Sequence, residues 1–472
     1  MLRVMLMLVV LCSGFQAQAG PESVAIRQFA YAPADITVAK GTVVRWENFD
    51  SIEHTVTSQT GPGTLIPSGV FESGKLGLGD VFEFRFEEVG VFHYFCLPHG
   101  SSMQGVVRVT PGAPARYTDT ILVANDASYE PLIMVDPLLQ NGWGIAIRPP
   151  GAGGHFWISN FNTGTTTTYV GDVHNGKGKF TPLFQDELTV VAIPRGAGLR
   201  FDGTPTAPVP QMTGQVYNYS TTDFVVSGEG ITNAAKFIFV TGEGTISAWT
   251  ERTGADGVHR RQTTAVLMVD QSQEYDDDRL RFTGCAVTDL PANNRLYVTN
   301  FTTDEVEVYD HTFQRVPLPA GRFRYPDQPE GFRAWNIQHF RTGPGNAGRL
   351  WVAYAMMEEP WEEDPAFGAV AEFDLEGNFI RRLATSIDSD RYADSELRAP
   401  WGLAIAPANF GPLSNTMLVA NFGEGTIAGF DLATGRFVDF LRDNNGTPPV
   451  RPDRQSSEAI APRGCFPISG SS

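Results

Sequence analysis

The sequence predicts an all-β protein in two parts, a small sandwich followed by a longer array of repeated four-stranded units. Three observations carry the prediction. Glycine (49) and proline (32) are abundant and charged residues make up only 19% of the 472 residues, which suits short strands and tight turns better than long helices. Apolar and polar residues alternate with period two in short runs over the first hundred or so positions. Beyond residue 117 one apolar strand pattern recurs six times. A chain of this length exceeds one core, so at least two domains are expected. The net charge of -18 argues against nucleic acid or an anionic membrane as a partner.

Residues 1–19 read as an export signal. Arg3 supplies the positive start, VMLMLVVLC the apolar run, and Ala17-Gln18-Ala19 the cleavage site, so the mature chain is expected to begin at Gly20. The apolar run is too short to span a bilayer, no later stretch is long and apolar enough to do so, and Leu11 before Cys12 argues against a lipoprotein. A periplasmic or secreted protein follows. Its three remaining cysteines, Cys96, Cys285 and Cys465, do not make a disulfide framework. Cys285 reads as a buried free thiol, with a Cys285–Cys465 bridge as the alternative.

Residues 20–111 form the first domain. Alternation in Asp35–Val38, Thr42–Trp46 and Val81–Phe86, followed by strands over Gly90–Cys96 and Gln104–Thr110, gives the strand spacing of a sandwich. A linker spans 112–119. From 120 to 445 the apolar strand recurs as ILVAND (121–126), FWISNF (156–161), FIFVTG (237–242), LYVTNF (296–301), LWVAYA (350–355) and LVANFG (418–423). A strand precedes several copies, at Gly142–Ala146, Thr283–Val287, Ala334–Ile337 and Pro400–Ala404, and another follows, as in Thr245–Trp249, Glu305–Tyr309 and Thr426–Phe430. A four-stranded unit repeated in this way is a β-propeller blade, and six hits predict six blades. Residues 446–472 lack a strand pattern and read as a disordered or aberrant tail, such as a frameshift or truncation would leave. In that case the strand at 121–126 has no closing partner and the ring is incompletely closed.

The chemistry lies in Gly90–Gly105. A strand ends at Cys96, a tight loop carries His99 and Met103, and His54 comes from a distant loop after the strand containing Trp46. One thiolate, two imidazoles and a weak thioether are the donors of a type 1 (blue) copper site. Zinc would want a second cysteine or more histidines, and a two-cysteine copper site is excluded because the loop holds only Cys96. Phe92, Tyr94, Leu97 and Pro98 are expected to keep water from the metal. His93 lies three residues before Cys96, on the opposite strand face, and is not expected to ligate.

With Trp46-Glu47-Asn48, His54-Thr55-Val56, Phe71–Gly74 and Cys96-Leu97-Pro98-His99, residues 24–110 resemble the cupredoxins of the plastocyanin and amicyanin type. The resemblance implies a Greek-key sandwich with one copper per chain, held by His54, Cys96, His99 and Met103. The spacing from His99 to Met103 lies between the family's shorter and longer loops, which leaves the copper–sulfur distance of Met103 open. Tyr297-Val298-Thr299-Asn300 and the run at 418–446 resemble an uncharacterised bacterial family of YVTN-type propellers, which implies a fold and no activity. In that family a further strand follows the last repeat and completes the ring, and here it is absent.

The array itself offers little chemistry. His155, His174, His259, His311 and His339 are scattered without metal-ligand spacing, and Trp143, Trp335 and Trp401 recur at blade starts as core residues rather than an electron relay. The acidic runs at 276–278 and 358–364 read as solvated loops. The expected function is one-electron transfer to an unidentified redox partner, through His99 as the exposed ligand, with the propeller as scaffold or docking domain. The alternatives are copper buffering, a surface interaction role, or an enzyme in the propeller channel fed by the copper. An electron carrier is favoured over an enzyme, because no acid–base pair or nucleophile motif is present.

Overall fold

The computed structural model describes residues 22–110, 116–117, 121–148, 155–171, 183–198, 209–273, 280–343, 347–356, 367–383, 396–407, 410–423 and 425–443. The signal segment, most of the linker, His174, both acidic runs, Cys465 and the tail lie outside the described residues. Within them the regular structure is β-strand with short 3-10 turns, and no α-helix is present, in agreement with the all-β expectation.

Residues 22–110 build two facing sheets from nine strands: β1 (Glu22–Arg27), β2 (Ala30–Ala32), β3 (Asp35–Ala39), β4 (Val43–Asn48), β5 (Thr57–Gln59), β6 (Pro67–Glu72), β7 (Val81–Arg85), β8 (Gly90–Cys96) and β9 (Gly100–Thr110). One sheet has the order β2-β1-β4-β7 and the other β3-β9-β8-β5-β6, with β1 parallel to β4 and β3 parallel to β9. Alternation sets the inward face: Val44, Trp46 and Asn48 of β4 are buried while Val43, Arg45 and Glu47 are only partly so. Trp46 lies at the centre, its ring 5.5–6.4 Å from those of Phe71, Phe82, Phe86 and Tyr94. Burial of these rings supplies much of the hydrophobic stabilisation of the unit. Gly105 pairs with Tyr94, and a Cβ at 105 would meet the Tyr94 ring at 2.3 Å, so the close approach requires glycine.

The rest of the described chain contains five four-stranded antiparallel sheets in sequence order. Sheet I comprises Gly142–Ile147, His155–Asn160, Thr165–Val170 and Val190–Ala192. Sheet II comprises Met212–Tyr217, Phe237–Thr241, Thr245–Trp249 and Val266–Asp270. Sheet III comprises Phe282–Val287, Leu296–Asn300, Glu305–Tyr309 and Arg315–Val316. Sheet IV comprises Arg333–Gly343, Ala347–Met356, Phe367–Phe373 and Phe379–Arg382, and sheet V comprises Pro400–Ile405, Thr416–Asn421, Thr426–Asp431 and Phe437–Phe440. Apolar clusters join I to II, II to III, III to IV and IV to V.

Five of the six recurring runs are the second strands of these sheets. The run at 121–126 differs: only Val123–Ala124 is strand, paired in parallel with Met134–Val135, and Leu122 and Val123 cover sheet I through Phe156, Ile158 and Tyr169. The chain enters a 3-10 turn at Ala127–Tyr129, and so it forms no hairpin there.

First strands of consecutive sheets run side by side. A Cβ on Gly144 would lie 2.9 Å from the Gln215 nitrogen, and one on Gly284 would lie 2.8 Å from the Asn336 Cα. At one end the first strands meet across the array. The Trp143 ring is 5.7 Å from both Trp335 and Trp401, and Trp401 Nε1 donates to the Thr283 carbonyl at 3.0 Å. Phe161, Phe301 and Phe422 complete this cluster. Cys285 is buried and unbridged among the described residues, its thiol pushed up by burial.

Candidate metal centre

The site is built at one end of the sandwich by two loops. β4 ends in Asn48, whose buried Nδ2 donates to the carbonyls of Ile52 and Leu76, both at 2.8 Å, and closes the loop before His54. His54 is fixed by backbone bonds to Leu76 in both directions, at 3.0 and 2.8 Å. On the other side β8 ends in Cys96 and a tight turn follows, with the His99 N–H on the Cys96 carbonyl at 3.1 Å and the Ser102 hydroxyl on the His99 carbonyl at 2.7 Å. Leu97 N–H donates to Thr55 Oγ1 at 2.8 Å and ties the loops together.

Three of the four expected side chains converge. Nδ1 of His99 is 3.2 Å from the Cys96 sulfur, Nδ1 of His54 is 3.7 Å from it, and the three donor atoms lie within 4.8 Å of one another. Cys96 and His54 are fully buried, and His99 is partly exposed. Met103 is 1% exposed and packs in the same apolar cluster as Cys96. His93 stands outside the group, as strand alternation requires.

The surroundings of Cys96 and His54 suit metal ligation. Thr55 N–H points at the Cys96 sulfur at 3.3 Å, which stabilises negative charge there. Asp50 Oδ2 lies 2.9 Å from His54 Nε2. A carboxylate only accepts, so Nε2 carries a proton, and Nδ1 is the ring nitrogen on the side of the sulfur, where a metal would be held. Burial pushes the Asp50 carboxyl up, but the N–H groups of Phe29 and Gln28 together with His54 outweigh it and hold Asp50 below its usual range. Tyr31, buried beside the site, is pushed far up by burial and then by the nearby Cys96 and Tyr94.

Sequence reasoning did not find Asp50 or Phe29. Asp50 lies four residues before His54 in a polar loop, and Phe29 is far upstream in the β1–β2 turn. The Phe29 ring meets His54 and His99 edge-on, with centroids at 5.8 and 5.0 Å.

The donor set fits a soft first-row metal. Two donors about 2.0–2.3 Å from a common ion, at angles between tetrahedral and trigonal, sit about 3.3–3.8 Å apart. The two sulfur–nitrogen separations are close to that range. One thiolate with two imidazoles and no further carboxylate or cysteine in the group suits copper better than a structural zinc.

Residues 21–110 match the family of copper binding proteins of plastocyanin/azurin type. An uncharacterized protein of Acanthamoeba polyphaga mimivirus is 28% identical over 223 residues, 45% of this chain, and this chain spans 36% of its length. Amicyanin-alpha of Methylorubrum extorquens is 27% identical over 84 residues, 18% of this chain and 68% of that protein. Among solved structures, a purple cupredoxin from Nitrosopumilus maritimus is 32% identical, covering 19% of this chain and 99% of that one, with a TM-score of 0.18. The N-terminal domain is of the plastocyanin/azurin family, and its cofactor is copper.

Proposed function

We propose that this plastocyanin/azurin-type domain, residues 20–111, is a type 1 copper centre that passes single electrons to a separate redox protein, with His54, Cys96, His99 and Met103 as ligands. The observation that carries the reading is the convergence of the Cys96 sulfur with the Nδ1 atoms of His54 and His99. Copper held there would supply one-electron chemistry between its two common oxidation states. The remaining work belongs to the chain. Thr55 favours the thiolate, Asp50 orients His54, and Met103 offers a weak thioether from the core side. His99 reaches the surface between Phe29 and Leu97, which are 53% and 45% exposed and give a partner an apolar landing area.

The direction of the strands supports a separate partner. Gly41 and Arg85 abut residues 412–414 beside sheet V, while Asn48 and the donors sit at the other end of β4. Six residues of β4 at about 3.3 Å each put roughly 20 Å between these ends. We read sheets I–V, within residues 120–445, as blades of a β-propeller that serves as scaffold or docking platform. The aromatic contacts joining sheets I, IV and V across the array support a radial arrangement. The same rings fill the axis at that end, which weighs against an enzymatic channel opening there. Residues 1–19 would export the chain, and no described helix is long and apolar enough to cross a membrane.

Absorption and EPR spectra of the copper-loaded full-length chain test the reading. An intense thiolate-to-copper band with a narrow copper hyperfine splitting, both lost in Cys96→Ser, is expected. A colourless Cu(II) protein overturns it, and rapid loss of copper to a mild chelator favours buffering instead.

A further inference from the structure

The β1–β2 connection is a two-residue turn, with Arg27 paired to Ala30 and only Gln28 and Phe29 between them. Both central residues are left-handed, with φ of 53° and 61°. A turn of this kind is normally made by Asn-Gly or Asp-Gly, and a bulky aromatic in the left-handed region is strained. Asp50 holds it in place. Its Oδ1 accepts from Gln28 N–H at 2.8 Å, and its Oδ2 accepts from Phe29 N–H at 3.1 Å and from His54 Nε2 at 2.9 Å. One carboxylate thus fixes the strained turn and a metal-facing imidazole together.

The strain does little for the fold. Phe29 is 53% exposed, so its ring buries little apolar surface, and glycine would suit either turn position better. The ring does cover something specific. It stands edge-on to His54 and His99 at once, at interplanar angles of 84° and 83°, while those two rings lie 4.8 Å apart. Its outer side faces solvent above the donor group. Strain that persists at such a place, held by a dedicated acceptor, is a mark of function.

We propose that Phe29 is a cap on the metal centre that slows entry of water and chelators and escape of the metal, and that Asp50 is the positioning residue that keeps the cap closed. This rests on the copper reading above. With Phe29 removed, the edges of both imidazoles open to solvent while all four proposed ligands remain.

The test uses the full-length chain loaded with Cu(II) and challenged with excess EDTA, with loss of the visible band followed over time. Phe29→Ala and Phe29→Gly are expected to lose copper at least tenfold faster than the wild type, with the initial absorption and EPR signals retained because no ligand has changed. Gln28→Gly relieves strain without removing the ring, so it should melt higher and lose copper at the wild-type rate. Asp50→Asn leaves one acceptor oxygen for three donors, and is expected to speed the loss and to shift the EPR hyperfine splitting through His54. Wild-type rates in both Phe29 variants, or equally fast loss in Gln28→Gly, overturn the cap. A wild-type chain with no thiolate-to-copper signal overturns the metal reading instead, so the two failures are distinguishable.

Discussion

Arg85, the last residue of β7, donates Nη2 to the Ser414 carbonyl at 2.6 Å and Nη1 to the Gly41 carbonyl at 2.7 Å, pinning the end of the sandwich away from the metal centre against the loop before the second strand of sheet V. Its Nε lies 3.7 Å from both Glu87 and Asp431. Arg85→Ala removes two charge-assisted bonds, one to each part, and takes the guanidinium away from Glu87 and Asp431. The bond to Ser414 and the pairing with Asp431 are the contacts that cross between the two parts, so a loss of about 1.5–3 kcal/mol of coupling is expected. Calorimetry of the full chain should then resolve a separate, lower transition for the sandwich, with the copper spectrum unchanged.

The same contact gives a pH dependence. Burial pushes the Glu87 carboxyl above its usual value, and Asp431 pushes it further, against the opposing pull of Arg85 and Lys40. A raised folded-state value means that the fold favours the protonated acid. Its contribution is fully present below the ordinary carboxylate range and is lost as pH rises through the raised value. Glu87→Gln is therefore expected to raise the melting temperature at pH 7 and to change it little at pH 4, as read by scanning fluorimetry at the two pH values.

Met103→Leu keeps side-chain volume and removes the thioether. Stability is expected to stay within about 1.5 kcal/mol of the wild type. The EPR hyperfine splitting and the reduction potential should both move if the sulfur faces the metal. Unchanged values would remove Met103 from the ligand set.

Trp335 is 1% exposed and touches Trp143 of sheet I together with Phe301 and Phe422, which directly follow the second strands of sheets III and V. Trp335→Ala is expected to cost about 3–5 kcal/mol, because it empties a site shared by several sheets that cannot collapse independently. Denaturant unfolding of the full chain measures it. A cost below about 1 kcal/mol would argue against convergence of these sheets at that cluster.

Much of this was legible because it follows from local alternation. β4 announces itself by period two and β8 by its run of aromatic residues at Phe92, Tyr94 and Phe95, and the Cys96–His99 turn carries two of the proposed donors in four residues. The five second strands were visible as apolar runs ending in a small polar pair. Met212–Tyr217 was not, because MTGQVY lacks the tryptophan that opens sheets I, IV and V and is buried on both faces, which erases alternation. The run at 121–126 misleads in the opposite way. Its apolar residues cover the outer face of sheet I instead of pairing in a hairpin. Asp50 and Phe29 were invisible for a different reason. Their roles arise from a turn and a loop brought together only by the pairing of β1 with β4, and nothing in either segment alone points to the other.

The double donation from Asn48 has a thermodynamic consequence. The carbonyls of Ile52 and Leu76 are locked during folding, so the loop carrying His54 loses its conformational freedom before any ion arrives. Association with metal then needs little further ordering of that loop, and more of the bond energy is available as affinity. Cutting this tether with Asn48→Ala should leave the ligands in the sequence yet give the apo chain a wandering imidazole, seen as a broadened His54 resonance.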